Sequence, residues 1–142
     1  ESDSIPVISG GLVATSREWW QASGGYDKAM RGWGGENIHQ SLFAWLCGAD
    51  ILRAKSSVIA HMWRMDSDKR TVAKFHTHFR TDNLARVAAT WFDEFKHKFR
   101  SGNLRSDIDV SASLQRRQAL GCKPFSHFLH RFRRIYRDGG VL

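Results

Sequence analysis

The run Gly32-Trp33-Gly34-Gly35-Glu36-Asn37 constrains this chain more than any other stretch. It gathers a carboxylate, an amide, an indole and three glycines at the start of an apolar-patterned segment. Glycine has no Cβ, so the backbone here can turn sharply and approach a ligand closely. From Asn37 onward, Ile38, Leu42, Trp45 and Leu46 fall at i, i+4, i+7 and i+8, and the pattern stops at Gly48. That spacing predicts a helix with one apolar stripe. Glu36 and Asn37 then stand at its N-terminal end. Two readings share the pattern: a ligand site at the helix start, or a glycine-rich turn with Asn37 as N-cap.

The remaining elements follow from the same kind of patterning. Thr15 with Glu18 forms a capping-box string for a short helix through Trp19 and Trp20, ended by Gly24-Gly25. Val7 to Val13 reads as a strand broken by glycines, and Ile51 to Trp63, with Val58-Ile59 at its centre, as a second strand. Met65 to Phe79 is charged and aperiodic, which predicts a loop. Asp82 is placed to cap a helix carrying Leu84, Ala88, Trp91, Phe95 and Phe99 on one face. A loop over 101–110 precedes a short helix from Ser111 to Leu120 ended by Gly121, and Pro124 suits the first turn of a last helix.

With 142 residues and 42% hydrophobic content, the chain has the material for one domain. No apolar run approaches the roughly 20 residues that span a bilayer, so any membrane anchor is expected outside this segment. The net charge of +8 is concentrated at one end: residues 111–142 hold seven Lys or Arg against Asp138 alone, six of the eight excess charges. These cations interleave with Phe125, Phe128, Leu129, Phe132, Ile135 and Tyr136 at helical spacing. The pattern favours an amphipathic helix with a solvated basic face over a nucleic-acid site. Cys47 and Cys122 form no CxxC or zinc spacing. Asp66-x-Asp68 and Asp107-x-Asp109 match a metal-binding string of glycosyltransferases, but both fall in polar segments and read as solvated surface.

Over nearly its whole length the chain resembles the polypeptide N-acetylgalactosaminyltransferases. The resemblance runs through Pro6, Gly10-Gly11-Leu12, Gly25-Tyr26-Asp27, Trp33-Gly34-Gly35-Glu36-Asn37 and Trp45-Leu46-Cys47-Gly48. It continues through Ser57, His61, Arg64, Asn83, Arg86, Trp91 with Asp93-Glu94, and Leu120 with Cys122-Lys123-Pro124-Phe125. It implies an α/β fold, with residues 1–142 as the C-terminal half of a GT-A type mixed-sheet domain whose nucleotide-binding half is missing. The implied reaction is retaining transfer of GalNAc from UDP-GalNAc to Ser or Thr of acceptor peptides. It also implies a Golgi-lumen location, through a type II anchor absent from this sequence, and no nucleic-acid partner.

The same resemblance assigns roles. His61 would ligate Mn2+ together with an Asp-x-His motif from the missing half, since imidazole and carboxylates suit that ion. Arg64 would reach the donor diphosphate, Glu36 and Asn37 the transferred sugar, and Trp33 would cover the donor. Gly10 and Gly11 would let backbone approach the donor, and Trp63 would lie against the acceptor peptide. Cys47 and Cys122 match a bonded pair. Departures stand beside these matches: His39 replaces a family glutamate, Phe43 an arginine, Ala60 the glycine before the metal histidine, and Ser56 a cysteine. Two other readings are a β-1,4-galactosyltransferase-like enzyme, which carries a close relative of the Trp-Gly-Gly-Glu string, and a non-catalytic basic binding module.

Overall fold

The computed structural model describes residues 3–62, 79–99 and 107–138. Its elements are helices: α1 (Arg17–Ser23), α2 (Glu36–Cys47), α3 (Phe79–Trp91), a 3-10 helix (Asp93–Lys98), α4 (Ser111–Ala119), α5 (Phe125–Arg131) and α6 (Arg133–Asp138). The cap of α1 is Ser16 rather than Thr15, its hydroxyl accepting the Trp19 amide at 3.1 Å, and Gly24 ends the helix at φ 71°. On α2 the N-cap is Gly35 at φ 91°, which sets Asn37 inside the first turn and removes it as the cap, while Gly48 at φ 102° closes the far end. Asp82 lies within the first turn of α3 rather than capping it. The single basic helix expected near the C-terminus is split at Phe132 into α5 and α6.

Packing of α2 against α3 and α5 makes the core. Leu42, Phe43, Trp45, Leu46, Val87, Trp91, Phe125, Phe128, Leu129 and Phe132 are buried together. Along α2 the burial is wider than a stripe, running unbroken from Ser41 to Leu46, so this half of the helix is enclosed on every side. Rings cross edge to face between Phe43 and Trp91 at 5.5 Å and between Trp45 and Phe132 at 5.0 Å. Such pairs add about 0.5–1.5 kcal/mol beyond the area they bury.

Asp93 holds the C-terminal elements to this core. It follows α3 at φ 45°, a left-handed conformation that ends the regular helix, so Phe95 and Phe99 do not continue the α3 face. Its carboxylate meets the Arg117 guanidinium twice at 2.7 Å and accepts the Phe125 amide at 2.9 Å. Burial alone would raise its pKa, but the Arg117 and Phe125 hydrogen bonds outweigh that and hold it below the usual carboxylate range. Arg117 also donates to the Thr90 carbonyl at 2.7 Å and lies over the Trp91 ring. Cys47 and Cys122 are disulfide-bonded with Cα atoms 4.3 Å apart, and beside them the Lys123 amide reaches the Leu46 carbonyl at 2.7 Å.

Neither expected strand forms, and among the described residues no sheet is present. The extended segments meet only in an isolated antiparallel bridge between Ser4 and Leu52, flanked by the Ile5 amide on the Ile51 carbonyl at 3.1 Å. In the first segment the polar groups of Ile8 are taken by α2 side chains: Ser41 Oγ accepts its amide at 3.0 Å and Asn37 Nδ2 donates to its carbonyl at 3.2 Å. Trp45 Nε1 likewise donates to the Ile5 and Pro6 carbonyls. The second segment leaves Val58 and Ile59 exposed, with no ladder partner among the described residues. An extended run becomes a strand only when a neighbour completes its ladder.

The disulfide closes a 75-residue separation, and constraining so long a loop stabilises a fold by about 2–4 kcal/mol. Replacing both cysteines by serine is expected to lower the thermal unfolding midpoint by several degrees. The native protein should show the same loss when reductant is added during the melt.

Candidate functional site

The turn before α2 is held from outside, because glycines have no side chains with which to hold it. Asn83, 2% exposed on α3, accepts the Arg31 amide at 3.1 Å and donates Nδ2 to the carbonyls of Arg31 and Gly34 at 2.8 Å each. Gly35 lies so close that a Cβ there would stand 3.1 Å from Asn83 Cβ and 3.2 Å from its backbone carbon. Glu36 folds back from the first position of α2, and its Oε2 accepts the Gly34 amide at 2.7 Å. A carboxylate at this end of the helix also meets the positive end of the helix dipole.

The segment carrying Gly10 is pinned beside Glu36 by Asn37 and Ser41. A Cβ at Gly10 would meet Glu36 Oε1 at 3.4 Å and Asn37 Cβ at 3.5 Å, whereas one at Gly11 would meet nothing within 4 Å. Gly10, Glu36 and Asn37 therefore form one cluster, with Gly11 open beside it. Trp33 is 47% exposed at the edge of the glycine turn. Behind this turn, Asp27 and Arg86 form a buried ion pair at 2.8 Å, and Arg86 also donates to the Asp109 carbonyl at 2.7 Å. Gln40 Nε2 donates to the Gly25 carbonyl at 2.8 Å. The Asp107–Asp109 string is drawn into the fold through that Asp109 carbonyl, and the Asp109 side chain accepts the Ser111 amide at the start of α4.

His61 is exposed near the end of the described segment. No group of three or more His, Cys, Asp or Glu side chains suited to a metal ion occurs among the described residues. Alone, then, these residues do not build a Mn2+ site. Trp63, Arg64, Asp66 and Asp68 lie outside the described residues.

Residue typing from sequence gave no role to Ser41 or His39. For Ser41 a signal existed: a hydroxyl one turn after Asn37, inside the apolar half of α2. Its Oγ donates to the Asn37 carbonyl at 2.6 Å while accepting the Ile8 amide. His39 is 3% exposed, stacks on Phe43 at 6.3 Å and meets the edge of Trp91 at 5.6 Å. Neither ring nitrogen has a hydrogen-bond partner among the described residues. Burial lowers its pKa to about 4, with Arg86 and Arg116 adding to the drop and Asp27 opposing it.

Residues 2–66 match the family described as the N-terminal domain of galactosyltransferase. A probable N-acetylgalactosaminyltransferase 6 of Caenorhabditis elegans is 35% identical over 129 residues, covering 87% of this chain and 21% of that protein. Polypeptide N-acetylgalactosaminyltransferase 6 of Homo sapiens is 35% identical over 133 residues, covering 88% of this chain and 21% of that protein. The crystal structure of GalNAc-T7 with UDP, GalNAc and Mn2+ superposes with a TM-score of 0.77 at 29% identity, over 89% of this chain and 23% of that one. The fold and most of the sequence are thus shared with glycosyltransferase relatives. The chain belongs to the polypeptide N-acetylgalactosaminyltransferase family, and it spans about a fifth of the length of the relatives it matches.

Two outcomes are expected of the groups around this turn. Asn83→Ala removes the partner of three backbone groups, of which the Gly34 carbonyl is buried and the two of Arg31 partly so, and the fold should lose about 1–3 kcal/mol. Tryptic cleavage after Arg31 should accelerate with it. His39 makes stability fall with acid. Above about pH 6.5 the ring is neutral in both states and costs nothing; between pH 6.5 and about 4 the unfolded chain takes a proton that the fold excludes; below about 4 the loss levels off. The total is about 3 kcal/mol. Unfolding free energies measured from pH 8 to pH 4 should show this decline, and His39→Phe should remove it.

Proposed function

We propose that this chain supplies the sugar-facing part of a catalytic domain that moves GalNAc, with retention, from UDP-GalNAc to Ser or Thr hydroxyls of polypeptides. The observation that carries the reading is the Gly10, Glu36 and Asn37 cluster behind an exposed Trp33, in a chain about 35% identical to polypeptide N-acetylgalactosaminyltransferases along most of its length. The neighbour of similar fold was crystallised with UDP, GalNAc and Mn2+, which supports a sugar-nucleotide donor and that ion. The matching family takes its name from galactosyltransferase, but the relatives identical along most of the chain carry N-acetylgalactosaminyl names and favour that donor.

In this reading Gly10 and Gly11 give the donor a floor without side chains, and Trp33 covers it. Asn37 positions that floor through the Ile8 carbonyl and meets a sugar hydroxyl. Glu36 accepts hydrogen bonds from the sugar with its second oxygen and is not a covalent nucleophile. The acceptor oxygen bonds to the anomeric carbon as the bond to the diphosphate breaks on the same face, and the acceptor proton passes to the departing diphosphate. What the protein contributes is position and charge stabilisation. Arg64 would meet the diphosphate and Trp63 the acceptor peptide. His61 would offer one imidazole to Mn2+, whose chemistry is to neutralise the diphosphate; the remaining ligands and the uridine pocket must come from the nucleotide-binding half, where the chain's extended segments would also find their sheet. The disulfide fits an oxidising compartment such as the Golgi lumen. No described helix is long and apolar enough to cross a membrane, so a type II anchor would lie elsewhere.

Glu36→Gln in the complete enzyme keeps an acceptor for the Gly34 amide and should unfold at the parental temperature. It is expected to lose about 100-fold or more in kcat for GalNAc transfer to a Ser/Thr peptide. Unchanged turnover would remove Glu36 from the site. Residues 1–142 alone should transfer nothing, and a donor series of UDP-GalNAc against UDP-Gal separates the galactosyl reading.

A further inference from the structure

The outer faces of α5 and α6 carry a basic surface that has no part in the cluster of Gly10, Glu36 and Asn37. Lys123, His130, Arg131, Arg133 and Arg134 are exposed and His127 is half-buried, whereas Phe125, Phe128, Leu129 and Phe132 are buried. On α5, His127 and Arg131 are four residues apart and share one helix face. Lys123 Nζ stands 3.4 Å from His127 Nε2. Arg131 lies over the Trp45 ring at 4.4 Å and reaches Asp50 at 3.1 Å, an exposed pair that offsets little of the charge. The field of the cluster registers on His127. Its pKa is lowered by partial burial and then by the charges of Lys123, Arg131 and His130.

Ordinary protein surfaces intersperse the two signs, and a patch of one sign repels itself. We propose that this face is a binding surface for a sulfated polysaccharide. Arginine forks suit planar and tetrahedral oxyanions, and the cations are spread over two successive helices rather than gathered at one point, which suits repeating sulfates. The disulfide between Cys47 and Cys122 argues for an oxidising compartment, which separates the chain from nucleic acids. It also separates the chain from the cytoplasmic leaflet, where anionic lipid is concentrated. The surface is independent of the Glu36 cluster, so binding and transfer can coexist in one protein.

The test titrates the purified protein with a fluorescent heparin-derived decasaccharide at several salt concentrations. Parallel arms use a hyaluronan decasaccharide, a DNA duplex of equal charge, and vesicles of phosphatidylcholine with 20% phosphatidylserine. Log affinity should fall linearly with log salt with a slope of about 3 to 4, as expected if Lys123, Arg131, Arg133 and Arg134 each displace a counterion. The paired variant Arg133→Gln/Arg134→Gln should bind at least tenfold more weakly while unfolding at the parental temperature, because neither side chain packs in the core. Arg17→Gln/Lys28→Gln removes the same net charge elsewhere and should bind as the parent does. Equal losses in the two paired variants would reduce the effect to net charge and overturn the proposal. So would hyaluronan, DNA or vesicles binding as tightly as the sulfated chain.

Discussion

A loop made of glycines cannot hold itself, and the arrangement of this molecule depends on the one side chain that does so. Asn83 reaches from α3 to three backbone groups of the turn before α2. Its amide offers donor and acceptor together, which is what a turn with both an amide and carbonyls to satisfy requires. A Cβ at Gly35 would crowd Asn83 at 3.1 Å on a backbone of φ 91° that L side chains rarely adopt, so this position favours glycine. With the turn fixed, the Gly34 amide is aimed at Glu36, and α2 enters the core at the angle its side chains fill.

From that entry the two faces of α2 serve different ends. Asn37 and Ser41 point to the extended segment and take the polar groups of Ile8, which sets Gly10 beside Glu36. The other positions feed the aromatic core, where the His39 ring stacks on Phe43. Burial keeps that imidazole neutral, and the ring carries an acid sensitivity that a well-packed hydrocarbon would not.

The C-terminal helices are attached by a second device, in which one carboxylate serves three elements. Asp93 ends α3, pairs with Arg117 of α4 and accepts the first amide of α5. The disulfide then joins the end of α2 to the residues before α5. Phe125, Phe128 and Leu129 of α5 therefore turn inward with Tyr136 of α6 packed against them, and the cations are left on the outside. The basic surface is a consequence of how the core is closed as much as of the composition of the tail.

Local patterning determined the helices and most of their ends, because a 3.6-residue apolar period and a glycine at positive φ express themselves within a few residues. Gly48 and Gly24 were legible as stops for that reason, as was Pro124 at the start of α5. The candidate site was legible as a string, Gly32 to Asn37, and the bonded cysteines were legible through family likeness. Tertiary structure decided the rest. It settled whether the segments around Ile8 and Val58 pair as strands, which depends on partners distant in the chain. In the case of Ile8 those partners proved to be α2 side chains. It placed Ser16 rather than Thr15 as a cap, Gly35 rather than Asn37 before α2, and Asp93 at a left-handed break that stops the Trp91 face from running on to Phe99. Burial of His39 was likewise invisible in sequence, since an imidazole on a helix is ambiguous until the surrounding rings are known. A residue's period is a local property, but its hydrogen-bond partner and its dielectric surroundings belong to the assembled fold.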